Sequence, residues 1–245
     1  MIIDKTKIVR NFNRASYDLV ADVQNLCAIK LINQLKTNLP EFRPRSILDI
    51  GTGTGYVTKE LVKNFPSSKY SLNDIAPNML KLAQENLSSL IEAQFILGDM
   101  ETIDFSHHQL IIANMSLQWA NDLNALLKKL YSSSDVLAFS CLLDGTFNEW
   151  AKIFEKLDLT SPIRNYPSNQ ELENYLLSLN PTKYFFDVAE YTLEFANPYL
   201  FIQYLKNLGA NYTTEEIPIN SLRKILKNYK NSFSVSYKVF LAIMS

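Results

Sequence analysis

The start of the chain carries apolar side chains at helical spacing. Ile8, Phe12, Ala15, Leu19, Val23, Leu26, Ile29 and Ile32 recur three or four places apart, which predicts a helix over residues 4–36. Pro40 and Pro44 disfavour its continuation. The period then shortens. Ser46-Ile47-Leu48-Asp49-Ile50 is a short apolar run closed by glycines, the mark of a buried strand, and helical spacing resumes over 56–64. The alternation repeats, with strands predicted over 69–72, 93–97, 109–114 and 136–142 and helices over 78–90 and 123–131. Strands alternating with helices predict a parallel sheet covered on both faces.

Beyond residue 145 the pattern loosens. Helices over 147–157 and 169–177 flank a loop from Pro162 to Pro167. There follow a strand over 185–195, a helix over 198–208 stopped by Gly209, a short basic helix over 221–229 and a closing strand over 233–243. The expectation is an α/β, Rossmann-like fold. It has a seven-stranded, mostly parallel sheet with helices on both faces, a helical N-terminal segment and a helical insertion late in the chain.

Composition narrows the chemistry. Apolar residues make up 47% of the 245, enough for a real core, and the length suits one large domain spanning 1–245. Lysine plus arginine number 24 and aspartate plus glutamate 25, a balance that gives no general attraction to nucleic acid. Cys27 and Cys141 are the only cysteines, too few for a disulfide framework or a cysteine-rich zinc site. His107 and His108 are adjacent and alone, so no metal centre built on spaced histidines is expected. The start lacks the apolar region of a signal peptide, and no apolar run approaches the roughly 20 residues of a membrane span. A cytoplasmic chain without membrane or nucleic-acid partners is expected.

The strongest motif is Asp49-Ile50-Gly51-Thr52-Gly53-Thr54-Gly55, which leaves a predicted strand and enters a helix. Glycines there let the backbone turn sharply and approach a ligand, at a helix N-terminus whose amides point outward. A dehydrogenase fingerprint would need glycine or alanine where Tyr56 stands. The G-x-G-x-G spacing, with an acidic residue two places earlier, resembles motif I of class I S-adenosylmethionine (SAM) methyltransferases. Asp74, at the end of the second strand, stands where a carboxylate accepts both ribose hydroxyls, though alone it reads equally as a helix N-cap. Ile75 and Met79 would cover the adenine. In Gly98-Asp99-Met100-Glu101, the resemblance gives Asp99 the adenine amino group and the Met100 backbone the ring. Ile112-Ala113-Asn114-Met115-Ser116-Leu117-Gln118-Trp119 ends the fourth strand, where the sheet order should reverse and ligands bind. Asn114 would meet the methionine moiety, with Gln118 and Trp119 beside the transferred methyl. Trp119 reads equally as a core residue.

The resemblance extends along nearly the whole chain to the malonyl-acyl-carrier-protein O-methyltransferases of biotin synthesis. It is carried by Phe12-Asn13-Arg14-Ala15, Tyr17-Asp18, Ala21, Val23-Gln24 and the glycine loop. Gly98-Asp99-Met100-Glu101, Ser116-Leu117-Gln118-Trp119, Leu208-Gly209-Ala210 and Ser236-Tyr237-Lys238-Val239-Phe240-Leu241 carry it further. The stretch from Arg14 to Tyr17 is about two residues shorter than the family's spacing, and Thr52 and Thr54 stand where relatives often have cysteine and proline.

The resemblance implies methyl transfer from SAM to the free carboxylate of malonyl-acyl carrier protein, or malonyl-CoA. It divides the chain into a helical lid (1–40), a SAM-binding core (45–145) and substrate-side helices with closing strands (146–245). Asp49, Gly51, Thr52, Gly53, Gly55, Asp74, Ile75, Met79, Asp99, Met100 and Asn114 would form the cofactor site. Tyr17, Gln118 and Trp119 are positioning candidates, Tyr17 as a lid residue or as plain core. Arg14 or Arg164 would hold the malonyl group. Arg223, Lys224, Lys227 and Lys230, at helical spacing, read as a docking patch for the acidic carrier or as a solvated helix face. A small-molecule carboxyl methyltransferase and a protein like the respiratory complex I assembly factors are the alternative readings.

Overall fold

The computed structural model describes residues 3–13, 17–210 and 218–245. Arg14 and Ala15 lie outside them. The helix expected over 4–36 is two helices. α1 runs Lys5–Phe12, capped by the Asp4 side chain, which accepts from the Thr6 and Lys7 amides. A 3-10 turn spans Tyr17–Leu19, and α2 begins only at Asp22 and runs to Asn38. The apolar periodicity is real on both sides of the break, but the two stretches serve different surfaces. α1 buries Ile8 in a small cluster with Ile3, while α2 buries Val23, Cys27, Ala28, Leu31, Ile32 and Leu35 in the main core.

The seven strands are β1 (Ser46–Ile50), β2 (Lys69–Asp74), β3 (Ala93–Leu97), β4 (His108–Asn114), β5 (Ser134–Leu142), β6 (Tyr184–Phe195) and β7 (Phe233–Met244). They form one sheet in the order β3-β2-β1-β4-β5-β7-β6. β1 to β5 pair in parallel, and β7 inserts antiparallel between β5 and β6. The order reverses between β1 and β4. There the strand ends on either side lead their chains in opposite directions and leave a crevice at their carboxyl ends.

The remaining helices are α3 (Tyr56–Val62), α4 (Pro77–Leu87), α5 (Leu123–Ser132), α6 (Asn148–Glu155), α7 (Asn169–Ser178), α8 (Pro198–Asn207) and α9 (Ile219–Asn228). α2, α3, α4 and α6 bury their apolar stripes with Ile47, Leu72 and Ile112 on one face of the sheet. α5 and α7 bury Leu126, Leu127, Leu130, Leu172 and Leu176 with Leu48, Ile111 and Phe139 on the other. Each such leucine or isoleucine contributes about 1.5–3 kcal/mol through burial. Local chemistry fixes the helix ends. Ser168 and Glu171 form a reciprocal capping box on α7, and Asn197 caps α8 ahead of Pro198. Lys230, expected on the basic helix, falls beyond the end of α9.

Candidate functional site

β1 delivers Asp49 to the crevice with its carboxylate buried. Its Oδ2 accepts from Thr52 Oγ1 at 2.9 Å and from Thr58 Oγ1 at 2.7 Å, which ties the glycine loop to the strand and to α3. Burial raises its pKa to about 6 against the pull of these hydrogen bonds. Gly51 and Gly53 turn the loop with φ of +65° and +57°. A Cβ on Gly51 would strike the Ser116 side chain, whereas one on Gly53 would meet no atom within 4 Å. Gly53 therefore presents bare backbone to open space, the arrangement a closely approaching ligand requires.

β2 ends in Asp74, whose two oxygens reach in different directions. Oδ2 accepts from the Gly53 amide at 2.9 Å and Oδ1 from the Ala76 amide at 2.8 Å. Burial raises its pKa to about 6, opposed by backbone hydrogen bonds from Ala76, Gly53 and Ile75. Asp74 is not the N-cap of α4, a position Ala76 takes without a side-chain cap; its carboxylate pins the turn before the helix and lines the crevice. After β3, Asp99 Oδ1 accepts from the Glu101 amide at 3.1 Å. After β4, Asn114 donates to the Gln24 carbonyl at 3.0 Å and accepts from Ser140 Oγ at 2.7 Å.

These strand ends wall a cleft lined among others by Gly51, Gly53, Asp74, Asp99, Met100 and Asn114. Ile75, Met79, Tyr17 and Trp119 also line it. Asp49, Thr52 and Gly55 do not. They stand behind the lining, where they shape the loop; Gly55 has φ of +88° and begins α3 against Leu87 and Ala83. Gln118 is likewise absent from the cleft. It follows Leu117 in a 3-10 turn, Leu117–Trp119, that points successive side chains apart. Gln118 donates to the Met115 carbonyl at 2.6 Å and lines a neighbouring cavity together with Arg164. Arg223, Lys224 and Lys227 are exposed on α9, where Lys224 donates to the Leu157 carbonyl at 2.7 Å.

α1 closes the cleft from above through Lys5, Ile8 and Phe12. Phe12 meets Trp119 edge to face, centroids 5.7 Å apart. Lys5 Nζ lies 2.6 Å from Glu101 Oε2 and 3.4 Å from Asp99 Oδ1, and donates to the Trp119 carbonyl at 2.8 Å. Thr54 Oγ1 donates to Asp18 at 2.6 Å, and the Asn78 amide donates to Asn13 Oδ1 at 3.1 Å. The N-terminal segment is thus tied to the loops after β1, β3 and β4 and to α4. Sequence reasoning missed Lys5, Ile8 and Ser116 as site residues. The signal for Lys5 was its place just after the helix cap Asp4, at the mouth of the segment assigned as a lid.

A Rossmann-like sheet with this strand order, and a glycine loop and two acidic strand ends beneath α1, define a class I methyltransferase. The methyltransferase domain family matches residues 47–134. The chain is 38% identical to malonyl-[acyl-carrier protein] O-methyltransferase of Neorickettsia risticii (strain Illinois), over 99% of this chain and 97% of that one. It is 32% identical to the enzyme of that name from Priestia megaterium, over 94% of this chain and 92% of that one. Among solved structures, magnesium protoporphyrin IX methyltransferase from Synechocystis PCC 6803, with SAM bound, superposes with a TM-score of 0.57 at 14% identity. That match covers 100% of this chain and 98% of the other. The plantazolicin methyltransferase BpumL with SAH gives 0.58 at 13% identity, covering 98% and 89%. The chain belongs to the malonyl-[acyl-carrier protein] O-methyltransferase family. Among the described residues no cluster of three metal-ligating side chains occurs, and no helix is long and apolar enough to cross a membrane.

Proposed function

We propose that this enzyme transfers the methyl group of SAM to the free carboxylate of a malonyl group carried on acyl carrier protein, in the cytoplasm, as a step of biotin synthesis. The observation that carries this reading is the extent of the likeness: a relative named for the reaction matches 99% of this chain and a second 94%, N-terminal helices and late strands included. The cleft fits the cofactor on its own terms. Gly53 offers backbone with no atom in a Cβ's way, and Asp74 is a buried acceptor at the end of β2, next to the strand β3 that leads to Asp99.

In this reading the Asp74 carboxylate takes the ribose hydroxyls and Asp99 the adenine amino group. Ile75, Met79 and Met100 cover the ring. Gly51 and Gly53 let the backbone approach, and Asn114 meets the methionine end. SAM supplies a sulfonium methyl, whose sulfur keeps the electron pair when the carboxylate oxygen takes the carbon. A carboxylic acid ionises near pH 4, roughly, so the acceptor is already an anion and the chain needs no general base. The protein's task is to position two charged reactants and exclude water. Phe12, Ile8 and Trp119 make the apolar roof that does the second. Tyr17, whose pKa is raised by burial and then by Asp74, stays a neutral donor at the cleft wall. Arg223, Lys224 and Lys227 on α9 serve as a docking face for the acidic carrier.

The test is transfer of labelled methyl from SAM to malonyl-acyl carrier protein, with malonyl-CoA, free malonate and acetyl-acyl carrier protein alongside. Label on the malonyl carrier, released by mild ester hydrolysis, is expected. Label on malonate alone would favour a small-molecule carboxyl methyltransferase. No label on any acid would overturn the reading.

A further inference from the structure

Ser140 sits on β5, opposite Asn114 in the parallel pairing with β4, and its side chain is wholly buried. It does not line the cofactor cleft, but its two partners, Asn114 and Met115, do. The Ser140 hydroxyl donates to Asn114 Oδ1 at 2.7 Å and accepts from the Met115 amide at 3.0 Å. The Met115 amide also reaches the Ser140 carbonyl at 3.0 Å. One residue of the neighbouring strand therefore holds both the last residue of β4 and the first residue beyond it. Met115 has a φ of +52°, a left-handed backbone that residues with side chains seldom adopt. Its carbonyl accepts from Gln118 Nε2 at 2.6 Å, and the next residue, Ser116, donates to the Ile50 carbonyl at 2.8 Å. The turn is thus pinned from several sides, as such a conformation requires.

The Asn114 amide has one permitted orientation. Its Nδ2 faces the Gln24 carbonyl, which can only accept, so Oδ1 must face Ser140 and takes the hydroxyl hydrogen. A side-chain amide carries two N–H donors and two acceptor lone pairs. Gln24 takes up one donor and Ser140 one lone pair. One N–H and one lone pair remain on a side chain that lines the cleft. That combination matches an α-amino acid: the N–H suits its carboxylate, and the lone pair suits its ammonium.

We infer that Ser140 is a positioning residue which, through Asn114, fixes the amino-acid end of SAM and so aims the methyl group. The inference rests on the cofactor reading above and deepens it by naming a residue outside the cleft that sets the geometry inside it. Removing the hydroxyl takes away the hydrogen bond to Asn114 Oδ1 and frees the amide to swing. The Met115 amide keeps the Ser140 carbonyl, so the turn itself survives. Asp74 and Asp99, assigned to the adenosine end, have no bond to Ser140 and keep theirs to Gly53, Ala76 and Glu101.

The experiment compares wild type with S140A, S140C, N114A and the double variant S140A/N114A. Titration calorimetry reads the Kd of SAM and that of methylthioadenosine, which is SAM without its amino-acid chain. S140A is expected to weaken SAM about fivefold to thirtyfold, the range of a buried hydrogen bond lost with its partner left behind, and methylthioadenosine no more than about twofold. S140C, close in size but a weaker donor, should fall between S140A and wild type. In the N114A background, S140A should add less than about twofold, because the residue through which it acts is gone. Equal weakening of the two ligands marks a merely structural serine and overturns the inference. Unchanged SAM affinity, or independent effects of the two substitutions, does so as well. If S140A does not fold, S140C decides by the same comparison of ligands. A wild type that binds no SAM overturns the cofactor reading and this inference with it. In a wild type that binds SAM but leaves the malonyl carrier unmethylated, the malonyl assignment falls and the two Kd values still decide on Ser140.

Discussion

Lys5 and Glu101 stand at distant places in the chain, yet the Lys5 ammonium is 2.6 Å from the Glu101 carboxylate. Burial works to raise the Glu101 pKa, but hydrogen bonds from Lys5 and from the Asp122 and Asn121 amides outweigh it and hold it low. Glu101 thereby joins α1 to the loop that follows Trp119. Both side chains remain about one-fifth exposed, so the pair is worth up to about 1 kcal/mol. Lys5→Ala should loosen SAM about twofold to fivefold by titration calorimetry, and speed amide exchange over residues 5–12. Unchanged exchange there would show that the apolar contacts of Ile8 and Phe12 hold the lid unaided.

The two glycines that turn the loop should fail differently. At Gly51 an alanine is strained and also strikes Ser116, so Gly51→Ala should lower Tm and abolish cofactor binding together. At Gly53 the strain alone is about 1–2 kcal/mol, and the new methyl enters open space in the cleft. Gly53→Ala should therefore cost a few degrees in Tm but a much larger factor in SAM affinity. Thermal melts beside binding isotherms separate the two cases. Equal behaviour of the pair would contradict this geometry.

Burial raises the pKa of Asp49 and of Asp74 from the ordinary 3.8 to about 6. Between those values the folded protein holds protons that the unfolded chain has released. Their contribution to stability is therefore greatest at low pH and declines as pH rises from about 4 to about 6. Cofactor affinity should run the other way. Asp74 accepts hydroxyl hydrogens best when ionised, so SAM binding should weaken as pH falls through about 6. A Kd measured from pH 5 to 8 should bend there in the wild type, and the bend should be reduced in Asp74→Asn.

Charge reversal on α9 probes the carrier. Arg223→Glu with Lys227→Glu should raise KM for malonyl-acyl carrier protein and flatten its salt dependence, leaving KM for malonyl-CoA within about twofold. A parallel rise for both substrates would take α9 out of carrier recognition.

The parts of the fold that read clearly from sequence are those where a local pattern and a tertiary demand coincide. β1 is apolar because both faces of the sheet are covered, and Gly51 and Gly53 are glycine because their φ is positive. The break between α1 and α2 did not read, because one apolar periodicity runs through both helices while each buries its stripe against a different surface. Gln118 and Trp119 are neighbours in sequence and were assigned one role. A single 3-10 turn sends one to the cleft and the other to the next cavity. Lys5 was illegible as a site residue for a plainer reason: its partners Asp99, Glu101 and Trp119 lie far along the chain, and no local spacing encodes them.

β7 follows β6 in the chain but lies between β6 and β5. During synthesis, β6 therefore emerges with no place to dock, and β5 keeps an open edge until residues 233–244 arrive. The same strand carries Tyr237, packed against Phe147 in the main core. Sheet closure and completion of that core are one event, so a chain cut short before Phe233 offers an adhesive strand edge in place of a weakened enzyme.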